Sequence, residues 1–279
     1  MRLYALAVYI FLYMPIGIIV IFSFNAGRHA SSFQGFSAKW YGKLFSNPFA
    51  IEALTTSLIV AATTAVLSSL FGTMAALGLQ GVTGKLRALY DALIYIAIMV
   101  PGIVIGIATL IALLTVFNLA NPAIEAVWPV AFGKAPRLSL GYVSLIAAHT
   151  LFTMALVIVI VRSRLAGMDR ALIEASADLY APPARTFWQV TLPQIFPAIL
   201  AGFLLSFTFS FDDFIIAFFV AGAETTLPVY VFSSIRRGVT PEINAIGTLV
   251  LSTSLVLLIA AQLLLRSRRD GKSEGSSDE

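Results

Sequence analysis

Six uninterrupted apolar stretches, each about the length of a membrane crossing, dominate this chain: residues 3–24, 54–79, 91–117, 141–161, 197–220 and 244–265. A helix rises 1.5 Å per residue, so roughly 20 residues cover the ~30 Å hydrocarbon core of a bilayer. The runs are continuous. A transmembrane β-barrel would instead alternate apolar and polar residues over segments of about ten. The pattern therefore predicts an all-α polytopic membrane protein with six transmembrane helices. Composition agrees: 59% of residues are hydrophobic and only 11% charged, with mean hydropathy +0.91, where soluble domains carry about 25% charged residues.

Residues 3–24 are longer than a signal-peptide core and lack a small-x-small cleavage site, so they read as an uncleaved first span. A polar loop with Trp40 and Tyr41 follows over 25–53. The second span is rich in Ser, Thr, Ala and Gly, which let helices approach closely in lipid. A short loop with Lys85 and Arg87 covers 80–90. The third span carries Pro101–Gly102 and Gly106, which predict a kink. Residues 118–140, with Pro122, Pro129 and Pro136, read as a loop. The segment 162–196 separates the fourth and fifth spans, and 221–243 read as a loop before the sixth. Residues 1–265 thus form a transmembrane domain, and the charged, Ser/Gly-rich 266–279 a disordered cytoplasmic tail.

With the amino end cytoplasmic, the inner segments hold eleven Lys and Arg and the outer loops seven. The positive-inside rule then places both termini and the 162–196 segment in the cytoplasm. The net charge of +4 comes from residues scattered over loops, without the basic stripe that a nucleic acid requires. There are no cysteines, and the two histidines, His29 and His149, are too few for a metal cluster.

No catalytic constellation is visible. Gly81 to Lys85 reads GVTGK, too short for a nucleotide-binding loop and without the following Ser or Thr. Ser206, Thr208 and Ser210 read as helix–helix hydrogen bonders. Asp212 and Asp213 stand apart, because they interrupt an apolar, aromatic run near its middle, FTFSFDDFIIAFF. An ionised carboxylate at that depth costs several kcal/mol unless water or a cation faces it, so intramembrane acids point first to a solute pathway. Adjacent residues of a helix point about 100° apart, so one acid is expected to line a polar cavity and the other to meet a neighbouring helix or a broken backbone. Phe209, Phe211 and Phe214 are expected beside them as contacts for a solute's methylenes or as packing. His149 reads equally as a packing or a pathway residue. Glu242 and Asn244 open the sixth span after Pro241. N-terminal capping accounts for Asn244, and Glu242 is a further pathway candidate. Trp40 and Trp128 read as interface anchors.

Residues 174–193, EASADLYAPPARTFWQVTLP, combine a helix-forming start, a Pro182–Pro183 stop, a short amphipathic piece with Phe187, Trp188 and Val190, and a closing Leu192–Pro193. The result is a helix–turn–helix elbow at a membrane face. It resembles the EAA motif of bacterial ABC-importer permeases, with Glu174, Ala175 and Ser176 at its start and Leu192–Pro193 at the family's offsets. Tyr180 departs from the pattern. It occupies the usual glycine position, where glycine supplies a positive φ, so Tyr180 is expected to manage the turn otherwise. The resemblance implies that the elbow, 169–193, docks on an ATPase subunit through Glu174, Ala175, Ser176, Asp178, Tyr180, Leu192 and Pro193.

Residues 206–248, with YIFLYMPIGIIVIFSFNAGR and FSAKWYGKLF near the amino end, resemble the spermidine/putrescine permease subunits of these importers. The likeness covers nearly the whole chain. It implies a type I ABC importer permease fold in a bacterial inner membrane. It also implies a second homologous permease subunit, an ATPase dimer that binds ATP and Mg while this chain holds no cofactor, and an extracytoplasmic solute-binding protein. Surrounding lipid is the remaining partner. Related permeases carry iron, thiamine and other solutes, and a membrane enzyme or scaffold reusing six spans is a different class of reading. The elbow and the lack of catalytic residues both favour transport. The 118–138 loop is longer than the family's usual one.

Overall fold

The protein is described here by a computed structural model covering residues 2–28, 32–129, 133–169, 171–238 and 240–270. Those residues are helical throughout apart from turns, loops and one isolated bridge between Asn25 and Phe36. The helices are α1 (Arg2–Ser23), α2 (Lys39–Phe45), α3 (Pro48–Gly78), α4 (Gly84–Met99), α5 (Gly102–Val127), α6 (Tyr142–Ala166), α7 (Ala171–Asp178), α8 (Pro183–Thr186), α9 (Leu192–Asp212), α10 (Ile215–Val220), α11 (Leu227–Arg237) and α12 (Pro241–Asp270). Among the described residues, five helical stretches are long and apolar enough to cross a membrane: 3–23, 48–81, 102–127, 142–166 and 183–212. The sixth apolar run lies within α12, which is 30 residues long.

The chain divides into two compact units, residues up to 53 with those from 229 onward, and residues 54–228. In the first, α12 packs on α1 and α2. The loop after α1 is organised by the buried Asn25. Its Oδ1 accepts from the Gly27 and Gln34 amides at 3.0 and 2.8 Å, its Nδ2 donates to the Ser32 carbonyl, and its own carbonyl accepts from the Trp40 indole at 2.7 Å. One polar side chain thus satisfies several backbone groups that a loop at a membrane face would otherwise leave open.

In the second unit α6 is central, packed against α4, α9 and α10. Val157 of α6, fully buried, lies between two glycines on different helices. A Cβ on Gly72 of α3 would stand 2.8 Å from Val157 Cβ, and one on Gly202 of α9 would stand 3.2 Å from Val157 Cγ1. Lipid tails are as apolar as side chains, so helices associate through close packing and interhelical hydrogen bonds, and small residues admit both. Ser68 and Thr153 hydrogen-bond at 2.6 Å in the same seam. Ala76, Ile94, Val161 and Ile195 extend the buried cluster.

Several boundaries differ from the sequence reading. The third span is not one kinked helix but two, α4 and α5. Pro101 has no N–H to donate, and it holds Val100 in extended backbone at φ −67°, ψ 133°. Helix α4 begins at Gly84, inside the stretch read as the 80–90 loop, and α3 begins at Pro48, ahead of residue 54. Residues 118–127 are the end of α5 rather than loop. At 26 residues α5 is about 39 Å long. Its distal turns are stitched to the returning chain by Asn121, which pairs with both backbone groups of Leu138, and by Glu125, which accepts from Arg137 at 2.7 Å. The 25–53 and 221–243 loops contain α2 and α11. Helix α12 continues to Asp270, into the stretch read as tail, and residues 271–279 lie outside the described residues, as does His29.

The Gly72–Val157 contact yields a test. Gly72→Ala forces a methyl against Val157 and should lower stability by about 1–3 kcal/mol, the usual cost of overpacking. Combining it with Val157→Ala should recover part of that loss. Thermal unfolding of the detergent-purified protein measures both.

Candidate functional site

Asp169 Oδ1 accepts the Ala171 amide at 2.9 Å and starts α7. Glu174, Ala175 and Asp178 are exposed on α7, while Ser176 is half-buried and hydrogen-bonds Thr186 of α8 at 2.8 Å. The helix closes with Tyr180 donating to the Ala177 carbonyl and Ala181 to the Ser176 carbonyl. This is the Schellman pattern, which needs a left-handed residue at the position Tyr180 fills. Tyr180 supplies it, at φ 56°, the only positive φ outside glycine among the described residues. The expectation that tyrosine would avoid the glycine conformation is therefore corrected. The side chain is 94% exposed, so nothing crowds it, and two backbone hydrogen bonds offset the left-handed cost of about 1–2 kcal/mol.

Pro182–Pro183 separate α7 from α8, as the sequence implied, but Leu192–Pro193 do not close the elbow. Helix α8, a π-turn over Phe187–Thr191 and α9 form one continuous helical path. Pro193 would leave the Gln189 carbonyl without its α-helical donor, and a widened turn accommodates that loss. Leu192 is half-buried and Pro193 exposed. Arg164, near the end of α6, donates to the Gln194 carbonyl at 2.9 Å and ties α6 to the start of α9 at the base of the elbow.

Glu174 faces a cavity of about 490 Å³ that Arg87, Arg162, Gln80 and Thr191 also line. Asp91 of α4 binds Arg162 and lies 3.8 Å from Arg87, whereas Glu174 makes no ion pair with any described residue.

The acid pair lies not on a continuous helix but at a break. Helix α9 ends at Asp212, Asp213 is extended at φ −69°, ψ 119°, and α10 starts at Ile215. Asp213 Oδ2 accepts the Ala217 amide of α10 at 3.0 Å and stands 3.4 Å from His149 Nε2. His149 is fully buried on α6, and its Nδ1 shares a hydrogen bond with Ser210 at 2.7 Å. It therefore bridges both sides of the break. At the far end of α10, Ser144 donates to the Val220 carbonyl at 2.7 Å. Asp213 is occupied by this bracing, and Asp212 is exposed.

Both acids border a cavity of about 650 Å³ lined by Val100, Phe152, Phe209, Phe214 and Ile215. Phe209 meets Phe152 edge to face at 6.2 Å. The breaks at Val100–Pro101 and at Asp213–Phe214 thus open on the same space, as irregular backbone does where it lines a cavity. Phe211 is not part of the lining and stacks on Phe207 instead, ring centroids 5.9 Å apart. Glu242 belongs to the other compact unit, where it is buried and paired with Asn47 and Lys43. Sequence reasoning missed Ser144 and left His149 undecided. Neither stands in a motif, and only the proline and the acids in apolar runs marked the breaks.

Broken membrane helices that border a cavity, joined to an elbow, are the arrangement that membrane transport folds use. The chain belongs to the family of binding-protein-dependent transport system inner membrane components, which residues 68–269 match. It is 34% identical over 268 residues to the spermidine/putrescine transport system permease protein PotC of Escherichia coli (strain K12), covering 96% of this chain and 94% of that one. It is 38% identical over 263 residues to the putrescine transport system permease protein PotI of the same organism, covering 93% and 88%. In fold it resembles a bacterial ABC transporter involved in the import of the acidic polysaccharide alginate, with TM-score 0.71, 16% identity and 95% of each chain covered. An amino acid ABC transporter also matches, with TM-score 0.55, 17% identity, and 82% of this chain and 98% of that one covered.

The two acids should separate by stability. Asp213→Ala leaves the Ala217 amide without its acceptor and should cost about 1–3 kcal/mol. Asp212→Ala should change stability by less than about 0.5 kcal/mol. Melting of the purified protein distinguishes them.

Proposed function

We propose that this chain is one of two permease subunits of an ATP-driven importer that moves a polyamine of the spermidine or putrescine class into the cytoplasm by alternating access. The carrying observation is the cavity at the two helix breaks. It presents one uncommitted carboxylate, Asp212, among apolar and aromatic walls. A polyamine alternates ammonium groups with methylene segments. Its charge needs an acceptor once it leaves water, and its methylenes favour surfaces such as Phe209 and Phe152. One acid suits passage better than a dense cluster, which would trap the solute. The substrate names of the two Escherichia coli relatives support the same solute class.

In this reading the elbow, 169–193, faces the cytoplasm and docks on an ATPase dimer that binds ATP and Mg. Both termini lie on the same side, and residues 1–265 are the permease domain. A binding protein delivers the solute from outside. Glu174 is the central coupling contact, because it is exposed on α7 and has no partner within the described chain.

Two measurements on the assembled transporter test this. Glu174→Ala should leave the complex in the membrane but separate ATP hydrolysis from uptake, cutting uptake at least about tenfold, the scale of a lost charged contact. Normal uptake at normal abundance would remove Glu174 from that role. Asp212→Asn should lower uptake of labelled spermidine without reducing the amount of complex. Unchanged uptake would exclude Asp212 as the acceptor.

A further inference from the structure

Glu242 opens α12 and is 8% exposed. A carboxylate so placed needs donors, and two are present. Asn47 Nδ2 donates to Oε1 at 2.8 Å, and Lys43 Nζ lies 3.3 Å from Oε2. The two partners differ in kind. Asn47 is fixed from several directions: its Nδ2 also lies 2.9 Å from the Tyr230 hydroxyl, and its Oδ1 accepts the Phe49 amide at 3.2 Å. Lys43 is 60% exposed along its side chain, and an ion pair with so solvated a partner is readily exchanged.

The same ammonium also sits on an aromatic face. Lys43 Nζ lies 5.0 Å from the centroid of the Trp40 ring, within cation–π range. Trp40 is 6% exposed and locked by its indole bond to the Asn25 carbonyl. Lys39 also approaches this ring, at 5.3 Å, but its ammonium is anchored on the Ala26 carbonyl. The carboxylate and the ring therefore keep their positions without Lys43. What Lys43 presents to them, a primary ammonium on a methylene stem, is chemically the end of a polyamine.

We propose that Glu242 and Trp40 form a second alkylammonium site, held in this structure by the chain's own Lys43, which the end of a polyamine displaces. The proposal rests on the polyamine reading above and adds a place outside the Asp212 cavity where the solute is bound. Lys43 acts as a tethered competitor. It keeps the buried carboxylate paired when no solute is present and weakens retention of the solute once bound.

The test uses Trp40 as reporter. The chain has three tryptophans, so replacing Trp128 and Trp188 by phenylalanine leaves Trp40 alone in the full-length chain in nanodiscs. Putrescine should change Trp40 emission. Lys43→Gln should tighten the apparent Kd by about two- to fivefold, the worth of an exposed ion pair. Glu242→Gln should weaken it at least about tenfold. A merely structural ion pair predicts the opposite sign for Lys43→Gln or no change, and either result overturns the proposal, as does a Trp40 signal that ignores putrescine. Because Lys43 is exposed, that arm decides even if Glu242→Gln accumulates poorly. Uptake by the assembled transporter is read separately. A Trp40 response without any polyamine uptake would overturn the proposed function and leave this site standing. Uptake with Kd unaffected by Lys43→Gln would do the reverse.

Discussion

The placement of α3, α6 and α9 depends on one contact, Val157 held between Gly72 and Gly202. In water such helices would be driven together by burial of apolar surface. In lipid they are not, and only tight complementary contact distinguishes the assembled from the separated state. A branched side chain opposite two missing side chains gives that complementarity, and it sets how closely three helix axes approach. The Ser68–Thr153 hydrogen bond then has its 2.6 Å geometry because the backbones are already close.

That fixed frame permits the irregular parts. A helix interrupted within hydrocarbon exposes N–H and C=O groups that lipid cannot satisfy. At Asp213 the Ala217 amide is taken by the carboxylate, and the carboxylate is faced by a buried histidine carried on α6. At Pro101 the chain forgoes one donor, and the carbonyl of Pro101 accepts from Val104 and Ile105 to restart the helix. Both interruptions border one cavity, so the irregular backbone and the polar side chains that compensate it lie around the same space.

The apolar runs were legible because hydropathy needs no long-range information. The elbow was legible because Pro182–Pro183 and the charged residues of α7 interrupt that hydropathy. What hydropathy cannot register is a change of backbone direction among apolar residues, so α9 and α10 read as one span and Pro101 as a kink. Short helices within polar segments, α2 and α11, were hidden for the complementary reason, since their stability comes from contacts rather than from pattern. Pro122, with Pro129 and Pro136 after it, suggested loop where α5 continues, because the partners that hold the end of α5, Leu138 and Arg137, lie well along the chain. The division of labour between Asp212 and Asp213 could not be read from adjacency. It is decided by His149, more than sixty positions away.

The π-turn at Phe187–Thr191 makes the joint between elbow and span wider than an α-helical path. A widened turn stores one residue more than α geometry uses, and one residue corresponds to about 1.5 Å of rise and 100° of rotation. Tightening the turn would shift that increment between α8 and α9, while the Arg164–Gln194 bond holds the start of α9 to α6. A turn of this kind therefore differs from a flexible hinge: straightening it to α geometry would change the path by one whole residue.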